Sequence, residues 1–141
     1  MNILFVCKYN RFRSKVAEAF FSKNNKNRKN KARSAGVVEG NDIAPEVFEG
    51  AKDCNIEIKG KPRGLNADLL QWQDMIIIVA NDVPAILFKD NKALGKPVTV
   101  WNIEDTKTNN REEMKRIMLK IEEQVNTLIK DLADKTNTYK Q

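Results

Sequence analysis

The apolar run Ile3-Leu4-Phe5-Val6 stops at Cys7, and from Ser14 onward Val16, Ala17, Ala19, Phe20 and Phe21 fall with the spacing of a helix face. Only the stretch from Lys8 to Arg13 is left to turn the chain, so a buried strand, a tight loop and a helix start follow one another without slack. Amides of such a loop and of the first helical turn point inward with their hydrogens unpaired, which makes a cavity for an anion. A helix N-terminus and a nearby guanidinium favour thiolate over thiol at Cys7. Arg13 closes the ring as a planar fork, bidentate to two oxygens of a phosphate in a way a lysine does not match. Ser14 is placed to cap the helix it begins and to hydrogen-bond the sulfur of Cys7.

Three more segments read as buried strands: Ala32 to Gly36, Met75 to Val79 and Pro97 to Trp101. Helical patterns separate them, at Ser14 to about Lys23, Pro45 to Cys54, a short piece from Asn66 and a run over Val83 to Lys89. Pro45 suits a first-turn position, and Asn55 can take the left-handed conformation that ends a helix. The last helix carries one apolar stripe, Met114, Ile117, Met118, Ile121, Val125, Leu128, Ile129 and Leu132, read as core packing, with Asn110 and Glu113 as a capping box. Strands alternating with helices predict a single α/β domain: a four-stranded parallel sheet flanked by helices on both faces. In such sheets ligands bind beyond the carboxyl ends of the strands, so Cys7 and the loop after Trp101 are expected on one rim. Residues 1–134 are expected to form the domain, with Lys135 to Gln141 a loose tail.

Hydrophobic residues make up 41% and charged residues 31% of the chain, the balance of a soluble globular protein, and no apolar run nears the length that spans a bilayer. A short hydrophobic start without a basic region before it does not read as a leader, so the expected location is the cytoplasm. Cys7 and Cys54 form no CxxC pair and histidine is absent, so metal-free chemistry without a cofactor is expected. The net charge of +6 is concentrated in Lys23, Lys26, Arg28, Lys29, Lys31 and Arg33, interleaved with asparagines rather than aromatic rings. That run is read as a solvated helix end and loop, not a nucleic-acid surface, because stacking platforms are missing.

Cys7-x-x-x-x-x-Arg13-Ser14 so near the N-terminus, after a strand beginning Asn2-Ile3-Leu4-Phe5-Val6, resembles the low molecular weight protein tyrosine phosphatases. Arg13-Ser14-x-x-Ala17-Glu18-Ala19 is similar to that family's loop exit and first helix, Ser34-Ala35-Gly36 to its second strand, and Trp101-Asn102-Ile103-Glu104-Asp105 to the end of its fourth. The similarity covers nearly the whole chain and implies a flavodoxin-like three-layer sandwich. It makes Cys7 the nucleophile, Arg13 the clamp on the phosphate oxygens and Asp105 the general acid, with Glu104 the adjacent competitor. The segment Lys8, Tyr9, Asn10, Arg11, Phe12, Arg13 and Ser14 would bind phosphate, and Asn10 would hold the strained loop through Ser14 and Ser34. The implied enzyme is a monomeric protein tyrosine phosphatase acting through a phosphocysteine intermediate on a phosphorylated protein or small phosphomonoester. A loop beyond a strand end suits the acid, since its carboxyl group must swing over the leaving oxygen.

Several positions depart from the family pattern. Phe12 stands where many members carry a second cysteine that protects the nucleophile, no histidine lies near Gly60 and Lys61, and Thr106 and Lys107 replace a proline and aromatic residues after the acid. Without those rings a phosphotyrosine loses part of its slot, unless Tyr9 or Trp101 supplies another wall. Arsenate reductases of similar fold are one alternative. The thioredoxin-coupled type needs two further cysteines close together, and this chain has only Cys54, read as a half-buried structural thiol. Phosphoarginine hydrolysis is disfavoured because Arg11 takes the place of a small threonine and would repel an arginine side chain. A phosphoprotein-binding module with weak turnover is the alternative from another class.

Overall fold

The computed structural model describes residues 1–106 and 110–140, with side chains through Lys135. The chain runs β1 (Asn2–Cys7), α1 (Arg13–Asn24), β2 (Lys31–Gly36), α2 (Pro45–Asp53), α3 (Ala67–Trp72), β3 (Met75–Val79), α4 (Lys89–Ala93), β4 (Val98–Trp101) and α5 (Arg111–Lys140). The four strands form one sheet in the order β2-β1-β3-β4. Every neighbouring pair is parallel. This is the α/β fold expected from the alternation of elements.

Period-two alternation along the strands divides the core into two layers. Ile3, Phe5, Ile77 and Val79 face α1, α2 and α5, and Leu4, Val6, Ile76 and Ile78 face the layer containing Leu69 of α3 and Phe88. Both sheet faces are covered, which is why β1 and β3 read as unbroken apolar runs. The α5 stripe is buried at Met114, Ile117, Met118, Ile121, Val125 and Leu132. At its start Asn110 Oδ1 accepts from the Glu113 N–H at 3.1 Å. The chain reverses its winding after β2, when β3 is laid on the other side of β1, so the crevice of this topology opens beyond the carboxyl end of β1, at Cys7.

Element boundaries shift for identifiable reasons. The run expected over Val83 to Lys89 is instead a 3₁₀ turn, Ala85–Phe88, leading into α4. Pro84, extended at ψ 137°, keeps Val83 out of it. α4 then stops before Gly95, whose φ of +76° continues no helix. β4 begins after Pro97, which lacks an amide but accepts from the Ile76 N–H through its carbonyl. α2 ends as its composition predicts: Asn55 has φ 57°, its N–H donates to the Lys52 carbonyl, and that of Ile56 donates to Ala51. α5 continues to Lys140, into the stretch set apart above as a tail. Among the described residues no helix is long and apolar enough to cross a membrane.

Candidate active site

Cys7 is the last residue of β1 and Arg13 the first of α1, so the loop from Lys8 to Phe12 is bounded by two rigid elements. Its outer edge is stitched to the exit of β2, where the Val37 and Val38 amides donate to the carbonyls of Cys7 and Lys8 at 3.0 Å each. Among the described residues the amides of Lys8 to Phe12 donate to no backbone carbonyl. The donors an anion would need are thereby left free. Ser14 differs from one expectation and matches another. It makes no cap, because the N-cap position is Phe12 and no side chain bonds there. Its Oγ lies 2.9 Å from Cys7 Sγ. Asn10 Nδ2 donates to that same oxygen at 2.8 Å, and the hydroxyl also lies within 3.5 Å of the Ala35 carbonyl, to which it can donate.

Asn10 adopts φ 56°, a left-handed conformation that asparagine tolerates better than most residues with a Cβ. Three hydrogen bonds hold it there: Nδ2 donates to Ser14 Oγ and to Ser34 Oγ at 3.0 Å, and Oδ1 accepts from the Arg63 amide at 3.1 Å. Ser34 donates onward to Glu18 at 2.7 Å. Where the resemblance leads to a histidine, this chain supports the network otherwise. Arg63 Nε donates to the Ser34 carbonyl at 2.9 Å, and the buried Lys15 donates to the Lys59 carbonyl at 2.9 Å. Desolvation holds the Lys15 ammonium below the ordinary lysine value. Two glycines let the loop sit this close to its neighbours. A Cβ on Gly36 would meet Val38 O at 2.5 Å, Tyr9 C at 2.7 Å and Asn10 N at 2.8 Å, and one on Gly40 would meet Tyr9 O at 2.5 Å and Arg11 Cγ at 2.6 Å.

Arg13 is only 2% exposed, so its charge needs company. Nη2 lies 3.0 Å from Asp82 and 3.7 Å from Asp105, and Nη1 donates to the Ile103 carbonyl at 3.1 Å. Asp82 was not singled out from the sequence, although one available signal was its position just beyond the buried strand β3, on the rim that holds Cys7. Glu104 and Asp105, adjacent in sequence, part company in space. Glu104 accepts from Arg116 at 2.8 Å and Lys120 at 3.1 Å on α5, and the hydrogen bond from Arg116 is the main cause holding its carboxyl below the usual range. Asp105 lines the pocket, with Oδ1 accepting from the Thr106 amide at 2.9 Å.

The pocket holds about 150 Å³ and is floored by Cys7 and Arg13. Tyr9, Phe12 and Arg11 form the loop side of its wall. Apolar lining comes from Ala44 and Val47 around α2 and from Met114 of α5, which the sequence marked only as core packing. Trp101 is no wall: it is buried, with its ring 5.7 Å from that of Phe5. Lys107 lies outside the described residues. Cys54, at the end of α2, is a free thiol packed against the core and pushed up chiefly by burial. The basic run is shaped by its asparagines, with Asn25 Nδ2 donating to the carbonyls of Asn27 and Asn30 at 2.9 Å. Among the described residues no group of three or more Cys, Asp or Glu side chains is placed to hold a metal ion.

The sequence profile of the low molecular weight phosphotyrosine protein phosphatases matches residues 2–138. The chain belongs to that family. A solved arsenate reductase from Archaeoglobus fulgidus is 32% identical, with a TM-score of 0.73 over 90% of this chain and 98% of its own. Two others share the phosphatase-family fold at lower identity. The low molecular weight protein tyrosine phosphatase from T. tengcongensis is 24% identical, with a TM-score of 0.78 over 93% of this chain and 99% of its own. An arginine phosphatase from Geobacillus stearothermophilus is 20% identical, with a TM-score of 0.82 over 97% of this chain and 96% of its own. No curated protein sequence gives a significant match.

Proposed function

We infer that the protein is a cysteine-dependent phosphomonoester hydrolase acting on aryl phosphates, with phosphotyrosine as the substrate class. The single observation that carries this reading is the cradle. Cys7 Sγ has the Ser14 hydroxyl at 2.9 Å, the loop amides of Lys8 to Phe12 have no backbone partner among the described residues, and Arg13 lies buried in the same pocket. In the first step the Cys7 sulfur attacks phosphorus in line, the P–O bond to the phenol breaks, and Asp105 gives the departing oxygen its proton. In the second, Asp105 takes a proton from water, which attacks the phosphocysteine and releases phosphate and the Cys7 sulfur. Arg13 and the loop amides would hold the equatorial oxygens throughout. Asp105 is favoured over Glu104 as the acid because two cations hold Glu104 away on α5. Val47, Met114 and Tyr9, which line the same pocket, support an aryl group over a charged guanidinium. Two unpaired thiols suit the reducing environment of a cytoplasm.

Arsenate reduction is the second reading, favoured by the relative at 32% identity. It requires two electrons from thiols beyond Cys7, and the only other cysteine, Cys54, is packed against the core and does not line the pocket. A panel of phosphotyrosine, phosphoserine and phosphoarginine peptides, with arsenate plus thioredoxin, run on wild type and Cys7→Ser, tests both readings. Turnover greatest on phosphotyrosine and lost in Cys7→Ser is the expected result. Arsenate-dependent thiol oxidation in place of ester hydrolysis would replace the first reading with the second.

A further inference from the structure

The side chain at the mouth of the pocket is unusually well prepared for a ligand. Arg11 lines the cavity and is exposed at its rim. Its stem lies over Gly40, where a Cβ would stand 2.6 Å from Cγ and 2.8 Å from Cδ, so only glycine leaves that path open. Its Nε donates to the Asp42 carbonyl at 3.1 Å, which fixes the plane of the guanidinium. Among the described residues the two terminal nitrogens have no partner. An exposed arginine otherwise gives up about 2 kcal/mol of rotamer freedom when it binds, and here much of that ordering is already done. Lys8, in the same loop, holds its ammonium over the ring of Tyr9, 5.2 Å from the centroid. The cavity of about 150 Å³ accommodates a phosphate and part of a ring, so the rest of a larger substrate lies outside it, within reach of the residues that line its mouth, Arg11 among them.

We propose that Arg11 is the core of a second anion subsite, which takes a carboxylate or phosphate borne by the substrate next to its phosphotyrosine. This rests on the phosphomonoesterase reading for the ester that fills the floor, but the subsite itself is a binding property. Planar recognition by the free fork favours an oxyanion that can meet two nitrogens at once. It acts at the rim, so its strength falls as salt screens it.

The test uses non-hydrolysable phosphonate analogues of phosphotyrosine peptides that differ only at the flanking residue: Gln, Glu or phosphoserine. Their dissociation constants are measured by titration against wild type, Arg11→Gln and Arg11→Lys, alongside hydrolysis of p-nitrophenyl phosphate by wild type. The expected result is binding about five- to tenfold tighter for both acidic peptides than for the Gln peptide in wild type. That preference should fall to near unity in Arg11→Gln, return in part in Arg11→Lys, and shrink in wild type as salt rises from about 0.02 to about 0.5 M. A preference for only one acidic peptide identifies the source of the anion and supports the subsite. A ratio near one in wild type, an unchanged ratio in Arg11→Gln, or no binding of any peptide overturns it. Failure to hydrolyse p-nitrophenyl phosphate while the preference holds overturns the hydrolase reading and leaves the subsite standing.

Discussion

Arg13 and the two acidic side chains near it divide the chemistry at the scale of single residues. A guanidinium buried to this degree would be costly without Asp82, so Asp82 is expected to hold the fork in place between turnovers, while the more distant Asp105 is free to move. If Asp105 is the acid, Asp105→Asn should slow hydrolysis of a poor leaving group such as phenyl phosphate by about 10²- to 10⁴-fold, and of p-nitrophenyl phosphate far less. Glu104→Gln, which loses only surface contacts with Arg116 and Lys120, should leave that comparison as in wild type. Equal losses on both esters in Asp105→Asn would send the role elsewhere. Cys7→Ser should lower turnover by more than about 10³-fold, because an alcohol in the same cradle is a far weaker nucleophile. Retained p-nitrophenyl phosphate hydrolysis in that variant would remove Cys7 from the mechanism.

At the scale of elements, the site depends on how closely β2 approaches the loop that leaves β1. The three atoms nearest to a Cβ on Gly36, all within 3 Å, belong to the backbone, so making room would mean moving main chain. Gly36→Ala should therefore cost about 2 kcal/mol or more and lower Tm by about 5 °C or more, with activity falling alongside as Asn10 loses its register. A thermal melt near the wild-type value would show the loop to be softer than its contacts suggest. Lys15 on α1 gives a pH dependence with a definite sign. Burial keeps the folded-state ammonium below its ordinary value of 10.5, so in the window just under 10.5 the unfolded chain binds more protons than the folded one. Stability from this group is then gained as pH rises through that window. Denaturant titrations of wild type and Lys15→Met should show the difference between them shifting in favour of wild type as pH rises towards 10.5. A difference independent of pH would mean that the lysine titrates alike in both states.

On the scale of the whole molecule, ligand and fold are coupled through the rim where β1, β3 and β4 end. An anion held by the loop amides and Arg13 joins α1 to the sheet, so inorganic phosphate or vanadate at about a hundredfold its dissociation constant should stabilise the protein by about 2.7 kcal/mol. The same anion should protect Cys7 from alkylation. Arg13→Lys should lose most of both effects, since an ammonium cannot replace the fork or span from Asp82 to the Ile103 carbonyl. Unchanged alkylation rates in saturating phosphate would place the anion somewhere other than the cradle.

The sheet, the α5 stripe and the loop between Cys7 and Ser14 were legible because each is written in consecutive or periodic residues. Asn10, Ser14 and Ser34 came through a resemblance carried by those same stretches, and their hydrogen bonds followed. Pro84 and Pro97 moved two boundaries by local rules that a hydrophobic pattern does not weigh. Other features have no local signature at all: Asp82 beside Arg13, the stem of Arg11 over Gly40, Arg63 behind Asn10, Val47 and Met114 in one pocket with Tyr9. Each joins segments separated by many residues, so it exists only once the β2-β1-β3-β4 order has brought their ends to one rim. Glu104 and Asp105 show the division most sharply. Both are carboxylates at the end of the same strand, and what separates an ion pair on α5 from a side chain in the pocket is the direction each leaves the backbone, set by packing and not by residue type.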